Sequence, residues 1–346
     1  MASKARQLAQ SASAPEGRKN VVINGAQQVA QRATSKADIG ADGATVPVTD
    51  RMFISCGGLS GRLTMSQDSD SPDGFANSLK FDCTTAQTSF DAGDFLWFQT
   101  RIEGQDLQRF SKGTSSAKNF TFSFYVKANS ARTMIAELFD ADNSRTVSKA
   151  FTTTTGWSRI EIDFGADTTG AFDDDGNLSL YVAFWLASGT TYNSGTLQTS
   201  WGSQNNANRA AGTSNFLSST DNTLFITGMQ LEVGSVATEF ENRSFAEELA
   251  ACQRYYEVQG GTTLTQYAHL WTGDVTSGGG YYQTVQFSVE KRATPTITMS
   301  SAAQSLFNAP SAANTSRIAT SGIAIANATG VRGYFYVGVL ADAELS

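Results

Sequence analysis

The sequence predicts a mainly β protein: a jelly-roll β-sandwich followed by a short helix and a second small β domain, with an extended N-terminal arm. Three observations support this fold. Apolar and polar residues alternate with a period of two along most of the chain, as in strands with one buried face. Turn-forming stretches such as 140–143 and 173–176 separate the alternating runs. A helical period replaces the alternation in one place, near residue 250.

Composition limits the class of protein. The 346 residues allow about two domains, and 11% of them are aromatic, which is typical of folded chains. The net charge of −7 argues against a nucleic-acid partner. The chain has no apolar run of about 18 residues and no apolar stretch near its start, so we expect neither membrane insertion nor export by the Sec route.

The first element is a basic arm over residues 1–19. Residues 1–36 carry six basic side chains against Glu16 alone, and Pro15 and Gly17 interrupt any helix in the arm. The β-sandwich is then predicted over 20–241. Its clearest strands place these apolar residues on one face: Phe120, Phe122, Phe124 and Val126; Ile160, Ile162 and Phe164; Leu178, Leu180, Val182, Phe184 and Leu186; Met229, Leu231 and Val233.

A short amphipathic helix or linker is predicted over 242–258. The pair Ser244 and Glu247 fits a capping box at its start. The helix either docks on the sandwich or packs against its own copies around a symmetry axis. The apolar residues for that second arrangement are Phe245, Leu249, Cys252 and Tyr256. A small C-terminal β domain over 259–346 completes the chain, with strands expected around Val285–Val289 and Tyr334–Leu340.

Sequence signatures of catalysis are absent, so we expect a protein without enzymatic activity. No phosphate-binding loop, no C-x-x-C pair and no H-E-x-x-H motif occurs, and a single histidine, His269, excludes a site with several histidine ligands. Cys56, Cys83 and Cys252 lack metal-ligand spacing, as expected in a reducing cytosol, although a Cys56–Cys83 disulfide stays open.

No cofactor is expected, with structural calcium as the one exception. Asp173 and Asp175 lie in an acidic turn that does not match the EF-hand register. An irregular calcium-binding turn and an ordinary solvated turn are the two interpretations of this segment.

Two polar segments with embedded aromatic residues are candidate glycan sites, because aromatic rings pack on sugars and amide or guanidinium groups bind hydroxyls. The alternative for the first segment is a solvated loop with Trp201 packed into the sandwich edge. The alternative for the second is a strand whose aromatic residues are core. The first segment contributes Tyr192, Trp201, Asn205, Asn206 and Arg209; the second contributes His269, Trp271 and Tyr281.

Several blocks resemble a large family of bacteriophage tail-fibre and virion structural proteins, common in marine and cyanobacterial phages. The first block contains the motif Asn20-x-x-x-Asn24-Gly25, and the second ends in Asp50-Arg51. Relatives often have Trp or Tyr where this chain has Met52. The similar blocks span 19–32, 48–51, 78–81, 99–105, 122–127, 226–234, 240–249 and 252–256.

The resemblance implies a jelly roll similar to carbohydrate-binding modules and a virion component, usually a homotrimer when it is a fibre. The short arm would then attach the protein to an acidic tail or capsid protein through Lys4, Arg6 and Leu8. The protein would be made in the cytoplasm of the host bacterium and would end up on the tail or capsid surface of the virion.

The sequence therefore supports one leading hypothesis and two alternatives. The leading one is a non-enzymatic tail fibre or receptor-binding protein that recognises a bacterial surface polysaccharide, with avidity from several copies. The first alternative is a capsid fibre, decoration or tail-assembly protein without glycan binding. The second, a capsule-degrading spike, lacks a convincing pair of acidic residues.

Overall fold

The structure is a computed structural model that describes residues 18–41, 43, 45–259, 269–274, 282–299, 303–305, 322–326, 332–337 and 339–345. The chain divides into two compact units. The sandwich unit comprises 18–28 and 34–243, and the C-terminal unit comprises 29–33 and 244–345. Within the described residues, no helix is both long enough and apolar enough to cross a membrane.

The sandwich unit is built from strands that pair in antiparallel fashion into two sheets. It also contains a short helix, α1 (Thr190–Asn193). The strands are β1 (Ser35–Ile39), β2 (Thr45–Pro47), β3 (Phe53–Gly57), β4 (Arg62–Asp68), β5 (Ser78–Thr85), β6 (Phe95–Glu103), β7 (Phe120–Ala128), β8 (Thr133–Asp140), β9 (Arg145–Thr152), β10 (Ser158–Asp163), β11 (Leu178–Ser188), β12 (Gly202–Ser203) and β13 (Thr223–Val233).

Sheet A has the strand order β1-β4-β5-β13-β7-β10, and sheet B has the order β12-β9-β8-β11-β6-β3-β2. Strands that are adjacent in a sheet are often distant in the sequence; β13, for example, lies between β5 and β7. The two-sheet strand order confirms the predicted mainly β, jelly-roll sandwich.

The core lies between the two sheets and follows the predicted alternation. Phe122 and Phe124 of β7 are fully buried and contact Phe184 of β11 at ring-centroid distances of 5.6 and 4.8 Å. Burying aromatic side chains of this size is the largest favourable contribution to a core. Because Phe184 points inward, its neighbours Ala183 and Trp185 point to the other side of sheet B.

The motif Asn20-x-x-x-Asn24-Gly25 fixes the start of the sandwich against β13. Asn20 Oδ1 accepts hydrogen bonds from the backbone N–H groups of Val22 (2.9 Å) and Leu231 (3.1 Å). Asn24 adopts a left-handed φ of 61°. A Cβ at Gly25 would lie 2.1 Å from the carbonyl oxygen of Met229, so only glycine fits. The residues that carry the family resemblance here hold the fold together.

The C-terminal unit contains helix α2 (Phe245–Gln253), which begins with the predicted capping box between Ser244 and Glu247. Its strands pair as β14-β21-β17, β15-β20-β18 and β16-β19. The expected strand around Val285–Val289 ends earlier, at Gln286. The strands are β14 (Tyr256–Gln259), β15 (His269–Asp274), β16 (Tyr282–Gln286), β17 (Thr296–Met299), β18 (Ala303–Ser305), β19 (Gly322–Ala326), β20 (Arg332–Val337) and β21 (Val339–Asp342).

A segment from the beginning of the chain, residues 29–33, belongs to the C-terminal unit. Its Arg32 guanidinium stacks on the ring of Tyr256 at 3.8 Å. The same guanidinium forms salt bridges with Asp342 (3.0 Å) and Glu344 (3.1 Å). Because the Arg32 side chain is 9% exposed, these pairs are poorly screened by water.

The three cysteines form no disulfide in the structure, and all of them are buried. The Cys56–Cys83 disulfide that the sequence left open is not formed. Burial and, to a smaller extent, the nearby Asp82 charge raise the pKa of the Cys83 thiol above its ordinary value. A buried thiol of this kind behaves as a small apolar side chain.

Candidate functional site

The outer face of sheet B, turned away from the core, carries aromatic and polar side chains in rows. Strand pairing aligns Trp97 of β6, Trp185 of β11 and Ile135 of β8 in a first row. The same pairing aligns Gln99, Ala183 and Glu137 in a second row, and Arg101, Tyr181 and Phe139 in a third. Residues two apart along a strand are about 6.6–7 Å apart, so the two aromatic rows lie about 13 Å apart with the polar row between them.

The aromatic rings on this face pack against one another. Trp97 and Trp185 meet edge to face at 4.6 Å, and Phe139 and Tyr181 stack at 5.6 Å. Trp185 is fully buried, whereas Trp97, Phe139 and Tyr181 are half-buried. The half-buried rings therefore keep apolar surface available for a ligand.

A loop over residues 189–213 covers part of the outer face and is held there by a buried ion pair. Arg209 donates from Nε to Glu137 Oε1 (2.8 Å) and from Nη2 to Glu137 Oε2 (2.9 Å). Trp185 Nε1 donates to the same carboxylate at 2.9 Å. The guanidinium also lies 4.6 Å from the ring centroid of Trp97. Two-point contact of this kind fixes both the distance and the orientation of the loop.

Four buried polar atoms on the outer face have no hydrogen-bond partner within the described residues: Trp97 Nε1, Gln99 Oε1, Thr146 Oγ1 and Ser148 Oγ. Thr146 and Ser148 are on β9, opposite Phe139 and Glu137. The amide nitrogen of Gln99 is already used, since it donates to Ser55 Oγ at 2.9 Å. Buried polar groups in native proteins are nearly always paired, so these atoms indicate a place for water or a ligand.

Arg101 extends the polar character of the face toward β3. Its guanidinium lies 4.7 Å from the Phe53 ring and 5.7 Å from the Tyr181 ring. Desolvation lowers the pKa of Arg101 from its ordinary value, but a guanidinium stays protonated at neutral pH. The face therefore offers a positive charge beside two rings.

The structure does not bring the residues of the first predicted glycan segment together. Tyr192 lies at the edge of the outer face, with its ring 5.8 Å from Phe95 and 5.2 Å from Trp185. Arg209 is buried in the ion pair described above. Asn205 is exposed and caps a turn by accepting from the Ala207 N–H (3.2 Å), and the exposed Asn206 accepts from Gln204 Nε2 (2.8 Å).

Trp201 packs at the edge of the sandwich, which was the alternative interpretation of this residue. Its ring lies 5.5 Å from Phe120 of the core, and its Nε1 donates to the Gly165 carbonyl at 3.3 Å. The Lys112 ammonium lies 5.3 Å from its ring centroid. Its ring face and its N–H are therefore in use within the protein, and Trp201 is not part of the candidate site.

The second predicted glycan segment lies in the C-terminal unit and not on the sandwich. The backbone of β15 pairs His269 with Val337 and Trp271 with Phe335 of β20. Tyr281 lies outside the described residues, as do the arm residues Lys4, Arg6 and Leu8.

The four residues predicted for an oligomer helix differ in exposure and position. Phe245 is 57% exposed and Leu249 is half-buried, whereas Cys252 is fully buried. Tyr256 lies beyond the end of α2, in β14, under the Arg32 guanidinium. Of the four predicted residues, Phe245 and Leu249 are the two that offer apolar surface on this helix.

Of the two aspartates considered for calcium, Asp175 uses its carboxylate within the turn, whereas Asp173 is bonded there through its backbone. Asp175 accepts from the backbone N–H of Asn177 (2.8 Å) and from its side-chain amide (2.5 Å). The backbone N–H of Asp173 donates to Asp142 Oδ2 at 3.0 Å. Within the described residues, no group of three or more His, Cys, Asp or Glu side chains has metal-binding geometry.

Sequence reasoning missed the outer face of sheet B. The signal was present in β6, where Phe95, Trp97, Gln99 and Arg101 alternate with core residues such as Phe98. A strand with aromatic residues on the face away from the core indicates either a covering loop or a ligand. Here a loop covers part of that face, and the half-buried rings lie beside it.

No family model matches the sequence, and no curated protein matches it. Among solved structures, a CBM4 carbohydrate-binding module matches with 14% identity, a TM-score of 0.30, and coverage of 61% of this chain and 97% of the module. A family 11 carbohydrate-binding module from Clostridium thermocellum, in complex with a mixed-linked tetrasaccharide, matches with 12% identity, a TM-score of 0.29, and coverage of 59% and 98%.

The enzymatically active domain of tailspike protein 4 of bacteriophage CBA120 is also similar. It has 11% identity and a TM-score of 0.32, and the match covers 62% of this chain but 21% of the tailspike chain. At these identities, the similarities concern the fold alone.

Proposed function

We propose that the protein is a non-catalytic glycan-binding component of a phage virion, with a polysaccharide bound on the outer face of sheet B. The observation that carries the proposal is the pair of unpartnered atoms, Trp97 Nε1 and Gln99 Oε1, beside half-buried aromatic rings. Rings that pack on C–H surfaces, together with a few fixed polar groups, are what a sugar site requires.

The two unpartnered atoms have the chemistry to recognise a hydroxyl group. Trp97 Nε1–H is a donor and Gln99 Oε1 is an acceptor, and both residues lie on the same face of β6. A sugar hydroxyl can accept from the first, and a sugar hydroxyl can donate to the second. Gln99 is 2% exposed, so a ligand can reach its Oε1 only if neighbouring side chains move.

Binding to polysaccharides purified from bacterial envelopes tests the site. Tyr181→Ala removes a ring, and Trp97→Phe keeps a ring but removes the N–H donor. We expect each to weaken binding by about 5- to 10-fold, because a lost stacking contact or hydrogen bond costs about 1 kcal/mol. Trp157→Phe is the matched control, since Trp157 lies by sheet A and donates to Asp70 at 3.0 Å. Unchanged affinity for both site variants would refute the site.

The virion role rests on the sequence resemblance. We propose attachment to an acidic tail or capsid protein through the arm, a homotrimeric assembly whose several copies raise avidity, synthesis in the host cytoplasm, and a final position on the virion surface. Immunogold electron microscopy of virions tests this role. Label at the distal tail appendages supports receptor binding, and absence of label from the virion refutes the role.

A second candidate function is a structural virion protein, such as a capsid fibre or decoration protein, without glycan binding. The specific observation in its favour is that the middle row of the outer face is closed, since Gln99, Ala183 and Glu137 are buried. In addition, Asn20, Asn24 and Gly25, which carry the family resemblance, hold the start of the sandwich in place and do not line the outer face. Label over the head, together with no polysaccharide binding, would favour this function.

A further inference from the structure

A buried lysine lies at the centre of a loop cluster at one end of the sandwich unit. Lys112 is completely buried, in the segment between β6 and β7. Four oxygen atoms surround its ammonium group. They are Asp140 Oδ2 at 2.5 Å, the Gly170 carbonyl at 2.6 Å, the Thr169 carbonyl at 3.0 Å and Asp167 Oδ2 at 3.2 Å.

The two carboxylates of this cage are held in place by groups other than the lysine. Asn143 donates to Asp140 from its backbone N–H (3.1 Å) and its side-chain amide (3.0 Å). Arg145 donates to Asp167 from Nε (2.7 Å) and Nη2 (2.9 Å). The cage oxygens are therefore positioned by their own loops, as they are in a binding site.

The cage matches a primary ammonium ion in geometry and in charge. Its N–O distances of 2.5–3.2 Å are those of hydrogen bonds, whereas calcium binds oxygen at about 2.3–2.6 Å with six to eight ligands. Asp140 and Asp167 balance Lys112 and Arg145, so the cluster is neutral. The rings of Phe172 and Trp201 lie 5.1 and 5.3 Å from the ammonium and add cation–π attraction.

We propose that this cage is a primary-ammonium site which Lys112 fills from within the chain, and that it takes up a free alkylammonium ion when the lysine side chain is cut back. In the unmodified protein, Lys112 connects the segment after β6 to the β8–β9 hairpin and to the loop between β10 and β11. The proposal concerns the end of the sandwich and holds whether or not the outer face of sheet B binds glycan.

A pair of variants tests the proposal by thermal denaturation. Lys112→Ala removes three carbons and the nitrogen, which are the atoms of n-propylammonium. Lys112→Met removes the charge but still fills most of the space that the lysine side chain occupies. Both leave Asp140 and Asp167 buried against a single Arg145, so we expect each to lower the Tm by about 10 °C.

The expected result is that n-propylammonium chloride raises the Tm of Lys112→Ala by several degrees, in proportion to the logarithm of its concentration, relative to NaCl at equal ionic strength. Lys112→Met and the unmodified protein should not respond. If Lys112→Ala is recovered unfolded, the same salts are compared by the yield of folded protein on refolding.

Three results would overturn the proposal. The first is no difference between n-propylammonium and NaCl for Lys112→Ala. The second is an equal response of Lys112→Met, because that variant has no room for a second ammonium ion. The third is equal or greater recovery with CaCl2 at matched ionic strength, which would make the cage a metal site.

Discussion

Replacing Glu137 with glutamine tests how the loop over 189–213 is held on sheet B. The carboxylate is fully buried and accepts three hydrogen bonds, two from Arg209 and one from Trp185. Glu137→Gln keeps the shape but leaves the Arg209 guanidinium, whose side chain is 5% exposed, without its counter-charge. Removing one partner of a buried ion pair costs about 3–5 kcal/mol, which corresponds to roughly 10 °C in Tm for a unit of this size.

The loss can be measured by urea unfolding followed by tryptophan fluorescence, because Trp97 and Trp185 lie beside the ion pair. Arg209→Met should cost a similar amount. The double variant Glu137→Gln/Arg209→Met should be less destabilised than either single variant, since no unpaired charge remains. Additive losses in the double variant, or a loss below about 1 kcal/mol for Glu137→Gln, would contradict the reasoning.

Three further predictions concern other parts of the molecule. Gly25→Ala should lower the free energy of unfolding by about 1–3 kcal/mol through the clash with a β13 carbonyl, whereas Gly93→Ala, with nothing within 4 Å, should change it by less than about 0.5 kcal/mol in urea unfolding. Burial raises the pKa of Asp167, but hydrogen bonds from Arg145, Thr169 and Lys112 outweigh this effect and hold the pKa below its ordinary value of 3.8. The stability that the Asp167 carboxylate contributes to the fold is therefore present above pH 3.8 and is lost as the pH falls further. Asp167→Asn should therefore flatten the decline of Tm with pH below 3.8, and an unchanged slope would contradict this. Arg32→Met should expose the C-terminal unit to limited proteolysis while the sandwich resists; equal cleavage of both proteins would exclude a role for that segment.

The alternating pattern of the strands predicted the sandwich well, because it depends only on neighbours in sequence. Phe120, Phe122 and Phe124 point inward as expected, and the Ser244–Glu247 capping box starts α2. Local spacing determines both features.

The candidate site was not predictable from spacing in the same way. Arg209 and Glu137 are 72 residues apart, and their pairing depends on which loop crosses which sheet. Trp201 illustrates the converse case: a tryptophan in a polar loop is a candidate ligand contact, and the structure packs its half-buried ring against Phe120 of the core. Residue type alone does not separate these two outcomes.

The early segment within the C-terminal unit has a consequence for synthesis. Arg32 and Asp342 are 310 residues apart, so at about 5–20 residues per second the ribosome delivers the aspartate roughly 15–60 seconds after the arginine. The sandwich residues leave the ribosome in that interval and can fold first, while residues 29–33 still lack their binding partners. The C-terminal unit is therefore completed only after Asp342 and Glu344 have been synthesised, and a chain cut short before them leaves residues 29–33 without the acidic side chains that bind Arg32.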